Sequence, residues 1–293
     1  MKTAPDQVTE ETVPAPRARE GWAPLPRRSR ARQSSPLLTI RAPISRRWRL
    51  TLTVLSLAVP FLGWVVFAAT GLVSPTFLPS PRAVVVAGID MARSGDLLTD
   101  LGATTRRVLL GFGLATLVSV PLGIAMGTFR AGQALFEPII GVLRYLPASA
   151  FIPLLIIWLG LGEPSKIAIL FIGTVFFNTL MVADVVRGVP RPLIDVSYTL
   201  GARRGEVLRK VIVPHSLPGI IDSVRVNAAA AWNFVVVAEL INSTEGLGYR
   251  IVRSQRFLQT DKIFAVLIVI GVAGVTIDIL LRMLRNRTGR WTG

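Results

Sequence analysis

Side chains able to attack, ligate or move a proton are scarce in this sequence. Its 293 residues include no cysteine and a single histidine, His215. Thiol catalysis, disulfide frameworks and Cys-based metal or iron–sulfur sites are therefore excluded, and clustered imidazole ligands have no residues to draw on. No Gly-x-x-x-x-Gly-Lys-Ser/Thr stretch occurs, so the chain lacks that backbone cradle for nucleotide phosphates. What remains is a set of ionisable residues inside apolar runs: Arg144, Asp222, Arg225, Glu239 and Asp278. Such groups are costly in lipid and mark either a pathway or a structural pair. Asp222 and Arg225 are three apart and Asp278 is four before Arg282, spacings that favour local pairs on a helix. Glu239, at the end of its run, calls for a structural partner. Arg144, beside Tyr145, suits either an anion or a helix-end carbonyl. Asn178, Asn227, Trp232 and Asn233 are polar groups in apolar surroundings whose default role is to hold helices together. With Arg144 they are the candidates for a small translocation route.

The elements that carry these residues are membrane helices. Hydrophobic residues make up 51% of the chain and charged residues only 17%, against about 25% in ordinary globular proteins. A bilayer core about 30 Å thick takes roughly 20 apolar residues per helix. Six runs meet that requirement, near 50–72, 107–128, 137–159, 166–183, 218–241 and 263–284. Gly160 to Pro164 reads as a tight turn between the third and fourth, and Gly123 and Gly127 have the spacing for close helix packing. The net charge of +16 raises the question of nucleic acid. However, the basic residues sit in the amino-terminal 49 residues and between the apolar runs, which is how membrane topology distributes charge. No nucleic-acid partner is expected. Residues 1–49 hold seven prolines and 11 basic against 4 acidic residues, a composition that cannot bury enough surface to order itself. With six spans both termini share one side, and the loops on that side carry 17 basic residues against 9 on the other. The positive-inside rule puts the termini in the cytoplasm.

One cytoplasmic loop, 185–217, is far longer than the two to eight residues that join packed helices. Pro190 and Pro192 mark an entry, 193–200 reads as a short helix, Gly201 allows a left-handed cap, and 205–213 reads as a second helix before Pro214. The result is a helical elbow. Asp195-Val196-Ser197, then Gly201, then Val211-Ile212-Val213-Pro214 resembles the signature of inner-membrane permeases of ATP-binding-cassette importers: Glu-Ala-Ala, three residues, Gly, nine residues, Ile-x-Leu-Pro. Gly and Pro are kept at the right spacing, while the opening triplet has Asp for Glu and Val-Ser for Ala-Ala. Three further stretches are similar to the nitrate, sulfonate and taurine branch. They are Arg106 to Phe112, then Leu146-Pro147 with Pro153 to Leu155 and Trp158 to Gly162, and Ala231-Trp232 with Val236 to Ile241 and Gly246 to Tyr249. The resemblance covers about residues 75–285.

The apolar runs make this an all-α polytopic membrane protein with six transmembrane helices, of which the resemblance implies that the last five form a type I importer core and the first is an amino-terminal addition. Composition, runs and resemblance together divide the chain into a disordered basic cytoplasmic tail (1–49), an amino-terminal transmembrane helix (50–72), a permease domain with its coupling loop (73–285, loop 185–217) and a cytoplasmic tail (286–293). The resemblance also implies an ATPase-coupling set of Asp195, Val196, Ser197, Gly201, Ala202, Arg203, Arg204, Val211 and Pro214, with Arg209 and Lys210 adding charge at the rim. No cofactor is expected on this chain, because ATP is bound by a partner ATPase subunit. The other implied partners are an extracytoplasmic solute-binding protein docking on 73–105 and 242–262, a second permease copy in a homodimer, and membrane lipid. The implied solute is nitrate, a sulfonate or taurine, with a neutral vitamin precursor also possible. A self-sufficient secondary transporter or channel would need paired broken helices or coupling-ion carboxylates in matching halves, and no inverted repeat is visible. A membrane enzyme would need a nucleophile–base or metal constellation, which one histidine without cysteine does not supply.

Overall fold

The structure, a computed structural model, describes residues 44–241 and 243–289; the expected disordered tail lies almost wholly outside them. Of the described residues, those up to Pro60 form one compact unit and those from Phe61 onward another. Helix α1 (Arg46–Ala69) opens with Arg46, Arg47 and Arg49, is predominantly apolar from Leu50 onward and has no buried residue. In the second unit, its last turns place Trp64 in a stack with Phe264, ring centroids 5.7 Å apart, while the indole Nε1 donates to the Pro79 carbonyl at 3.0 Å.

Among the described residues, five helices are long and apolar enough to span a bilayer. They are α1 and, after the short helix α2 (Pro81–Arg93), α3 (Asp96–Thr128), α6 (Glu163–Arg187), α9 (Val213–Ile241 with the turns from Arg204) and α11 (Thr260–Thr288). The third expected span is not continuous. It consists of α4 (Arg130–Leu143), then a 3₁₀ turn (Ala148–Phe151) leading into α5 (Ile152–Leu159), with a bend of 82° between the halves. Pro147 has no N–H and disfavours a helical residue before it. The chain accordingly leaves α4 through tight bonds from Tyr145 N to Val142 O and Leu146 N to Leu143 O, both 3.1 Å.

Core packing runs from α3 onto α6, from α6 onto α9 and from α9 onto α11. The α3–α6 approach depends on missing side chains. A Cβ at Gly123 would sit 2.7 Å from the Thr179 carbonyl and one at Gly127 2.8 Å from that of Ala183. The main apolar core joins Val108, Phe112, Leu170, Ala231, Trp232 and Val235.

The two loops expected to receive the binding protein, 73–105 and 242–262, each contain a helix. Helix α2 begins at a Ser80 cap that accepts from Ala83 N and buries Val84, Ala87 and Met91. Helix α10 (Leu247–Arg256) buries Leu247, Arg250 and Ser254. Both are short and amphipathic, too polar for a hydropathy window to detect. The last expected tail, 286–293, starts inside α11, and residues 290–293 lie outside the described set.

Candidate functional site

The elbow is built from α7 (Arg191–Thr199) and α8 (Arg204–Val207). Pro192 suits the first turn of α7, where its missing N–H costs nothing. The helix ends in a Schellman arrangement, with Ala202 N donating to Ser197 O at 3.0 Å and Gly201 N to Tyr198 O at 2.9 Å. Gly201 has φ +82°, a left-handed conformation that any side chain would strain. Glu206 Oε2 then accepts from Arg203 N at 3.0 Å, the acidic half of a capping box that starts α8. The second elbow helix does not stop before Pro214. It widens to a π turn (Leu208–Ile212) and continues as α9, so Pro214 and His215 lie in helix and not in a loop. The wider turn gives the Pro214 ring room that an α-helical turn would deny it.

Ile194, Ala202, Leu208 and Val211 seat the elbow on a cluster of Val182, Val186, Val189, Val207, Ile212 and Ile220. Its other side is apolar and uncovered, with Leu200 82% exposed, Val196 56% and Tyr198 47%. Asp195, Arg203 and Arg204 are exposed around it, Ser197 Oγ is turned back onto Leu193 O at 2.7 Å, and Pro214 is half-buried. The expected coupling residues thus divide into a seated group, Ala202 and Val211, and a presented group, Asp195, Val196, Arg203 and Arg204.

The expected route residues are not gathered in one place. Asn178, fully buried, donates through Nδ2 to Ser119 Oγ at 2.6 Å and accepts from Asn227 Nδ2 at 3.3 Å, a polar chain across α3, α6 and α9. Trp232 is buried in the apolar core, its Nε1 without a partner among the described residues. Asn233 is exposed. Arg144 is exposed on the turn after α4, its Nη2 donating to Tyr145 Oη at 2.9 Å and its guanidinium 4.8 Å from that ring's centroid.

At the elbow end of the spans, Arg225 pairs with Asp222 at 3.3 Å and with Asp278 at 3.0 Å, and Asp278 pairs with Arg282 at 2.9 Å. Arg285 reaches Asp222 at 3.2 Å, so the two expected local pairs are joined into one seam between α9 and α11.

The opposite end holds a network that sequence reasoning missed. Arg107, 1% exposed, donates Nη1 to Glu239 Oε1 at 2.7 Å and to the Glu245 carbonyl at 2.9 Å. Its Nε and Nη2 grip Glu163 in a fork at 2.8 and 2.6 Å. Thr104 Oγ1 donates to Glu239 and accepts from Leu247 N at 2.9 Å, while Gly248 N donates to Glu239 Oε2 at 2.8 Å. Asp100 accepts from Gly246 N at 2.8 Å and from Arg250 Nε at 2.6 Å, and Arg250 also pairs with Asp96 at 3.1 Å. Burial works against the Arg250 charge, yet Asp100 and Asp96 outweigh it and hold its pKa above the ordinary arginine value. Gly246, φ +120°, is required at the centre, since a Cβ there would meet Arg107 Nη1 and Glu239 at 2.6 Å. Glu239 does have a structural partner, and Arg107, one of the nine basic residues counted opposite the termini, is that buried partner. The visible signal was Asp96, Asp100, Thr104 and Arg107 at three- and four-residue spacing, one helical face extended beyond the apolar run.

A bundle of spanning helices, a broken span and an apolar elbow at one end define a multi-pass membrane permease. The chain belongs to the family described as binding-protein-dependent transport system inner membrane component, which matches residues 119–290. It is 37% identical over 242 residues to a probable ABC transporter permease protein of Brucella melitensis, covering 83% of this chain and 97% of that one. It is 34% identical over 258 residues to the taurine transport system permease protein TauC of Escherichia coli, covering 86% and 93%. In fold it is similar to a chain of the inward-facing MetNI methionine ABC transporter, with a TM-score of 0.61 at 18% identity, covering 67% of this chain and 98% of that chain. The protein is thus an inner-membrane ABC importer permease with the type I helical core.

Proposed function

We propose that this permease imports a small sulfonate such as taurine, or nitrate, as a homodimer driven by separate ATPase subunits that grip the elbow at 190–214. The termini are cytoplasmic, and an extracytoplasmic binding protein delivers the solute. The observation that carries the reading is the elbow itself. An 82%-exposed leucine on a glycine-turned, firmly seated knob is a surface made to be covered. The name of the Escherichia coli relative supports the solute class. Burial supports the topology: Arg107, Lys166 and Arg250, counted among the nine basic residues opposite the termini, are enclosed in ion pairs and are not free loop charges. The bias toward cytoplasmic termini is then stronger than the raw count.

Vesicles reconstituted with this chain, its ATPase and its binding protein should accumulate radiolabelled taurine or nitrate only when all three and ATP are present. Accumulation by the chain on its own without nucleotide would replace this reading with a secondary transporter.

A further inference from the structure

We propose that the cavity between the end of α9 and helix α10 is an anion-receiving site that takes one sulfonate-type oxyanion group from the outer side. The proposal rests on the importer reading and the topology above. The cavity measures about 450 Å³, within the range of small-molecule sites, and its wall includes Ser243, Tyr249, Arg253, Arg256 and Phe257.

Helix α10 is held in place by its buried face, where Leu247, Arg250 and Ser254 sit and where Arg250 is pinned by Asp100 and Asp96. Its other face, Tyr249, Val252, Arg253 and Arg256 at spacings of three, four and seven, lines the cavity. The two arginines are exposed and neither lies within 4 Å of a carboxylate oxygen among the described residues, although, against the cost of burial, Arg253 is near enough to Asp96 to help hold that carboxyl below its ordinary pKa, after the larger effect of Arg250. Two like charges three apart on a helix repel. Their place in the last turn offsets part of that repulsion through the helix dipole, but does not explain the hollow beside them.

Glu239 also lines the cavity, and its charge is already spent: one oxygen is bound by Arg107 and the other by Gly248 N, with Thr104 donating to both. Ser243 Oγ has no partner among the described residues. The cavity therefore presents two exposed guanidinium forks, each suited to two oxygens of a planar or pyramidal oxyanion, and a spare hydroxyl. A concave site of this size fits a small solute.

The test is direct binding to the full-length chain in nanodiscs, by titration with sodium ethanesulfonate and with uncharged ethyl methyl sulfone. Ethanesulfonate should bind and the sulfone should not. The double variant Arg253→Gln/Arg256→Gln should weaken ethanesulfonate at least tenfold with an unchanged unfolding temperature, and Arg253→Lys/Arg256→Lys should restore part of the loss. Equal binding of ethanesulfonate by wild type and the Gln variant, or none by wild type, overturns the proposal. Loss of binding-protein capture in the Gln variant, together with no ethanesulfonate binding by wild type, would assign the cavity to docking. No ATPase enters the titration, so a chain that binds ethanesulfonate yet imports nothing keeps this site and loses the importer reading.

Discussion

At the α10 end of the bundle, Arg107 and Glu239 are each about 1% exposed and engage Thr104, Glu163 and the backbone of 245–248. At the elbow end, Arg203, Arg204 and Asp195 are exposed and Leu200 projects outward from a small valine and isoleucine seat. The first region spends its charges internally. Four helices, α3, α6, α9 and α10, are tied at one point, and none of them moves there without unpairing a charge in a low-dielectric surround. The second region keeps its shape by local means, a Schellman turn and a half capping box, and leaves its apolar face and its charges for something else. One chain thus holds an internally paired seam at one end of the bundle and a presented handle at the other.

The contrast can be broken most severely in the seam. Glu239→Ala takes the buried acceptor from Arg107 Nη1, Thr104 Oγ1 and Gly248 N while Glu163 still grips Arg107, and lost hydrogen bonds to a charged group of this kind cost about 1.5–3 kcal/mol. The expected outcome is loss of monodisperse protein on size exclusion in mild detergent, with Glu239→Gln intermediate; a normal profile for Glu239→Ala would deny the seam its role. At the handle, Gly201→Pro cannot adopt φ +82° and should cut ATP-driven uptake at least tenfold while the protein still inserts and elutes normally. Uptake at the wild-type rate would disconnect the elbow from coupling. Replacing Arg203 and Arg204 together with Glu should reduce ATPase co-purification several-fold, most at low salt, because exposed rim charges act through screened fields. Recovery of the ATPase equal to wild type at every ionic strength would leave these residues a topological role only. The smallest effect is expected at Arg144→Ala, which removes an exposed cation–π contact worth about 0.5–1 kcal/mol. A thermal shift of a few degrees without loss of uptake fits that contact, whereas a collapse of uptake would return Arg144 to the translocation route.

Particular residues show where reading the chain in one dimension succeeds. The long apolar runs of α3, α6 and α11 announce themselves because burial in lipid needs only composition and length. Gly201 is legible because a left-handed cap has a residue type and a spacing of its own. Asp278 with Arg282 follows from helix geometry alone. The break in the third span was written in Pro147 but was outweighed by the uncharged stretch around it. Helices α2 and α10 escaped because a short amphipathic helix carries its signal in periodicity and not in mean hydropathy. Asn178 with Asn227 was visible only as two polar residues in separate runs, and their hydrogen bond with Ser119 spans three helices.

Composition, hydropathy and local spacing determined by themselves that this chain is helical, membrane-spanning and furnished with a glycine-turned elbow, since each of those properties depends on residues close together in sequence. Only the tertiary structure decided that Arg107 is a buried tie and not a loop charge. Its partners Glu163 and Glu239 lie 56 and 132 residues away, and a charge becomes structural only when the fold brings its counter-charge within reach and removes the water between them.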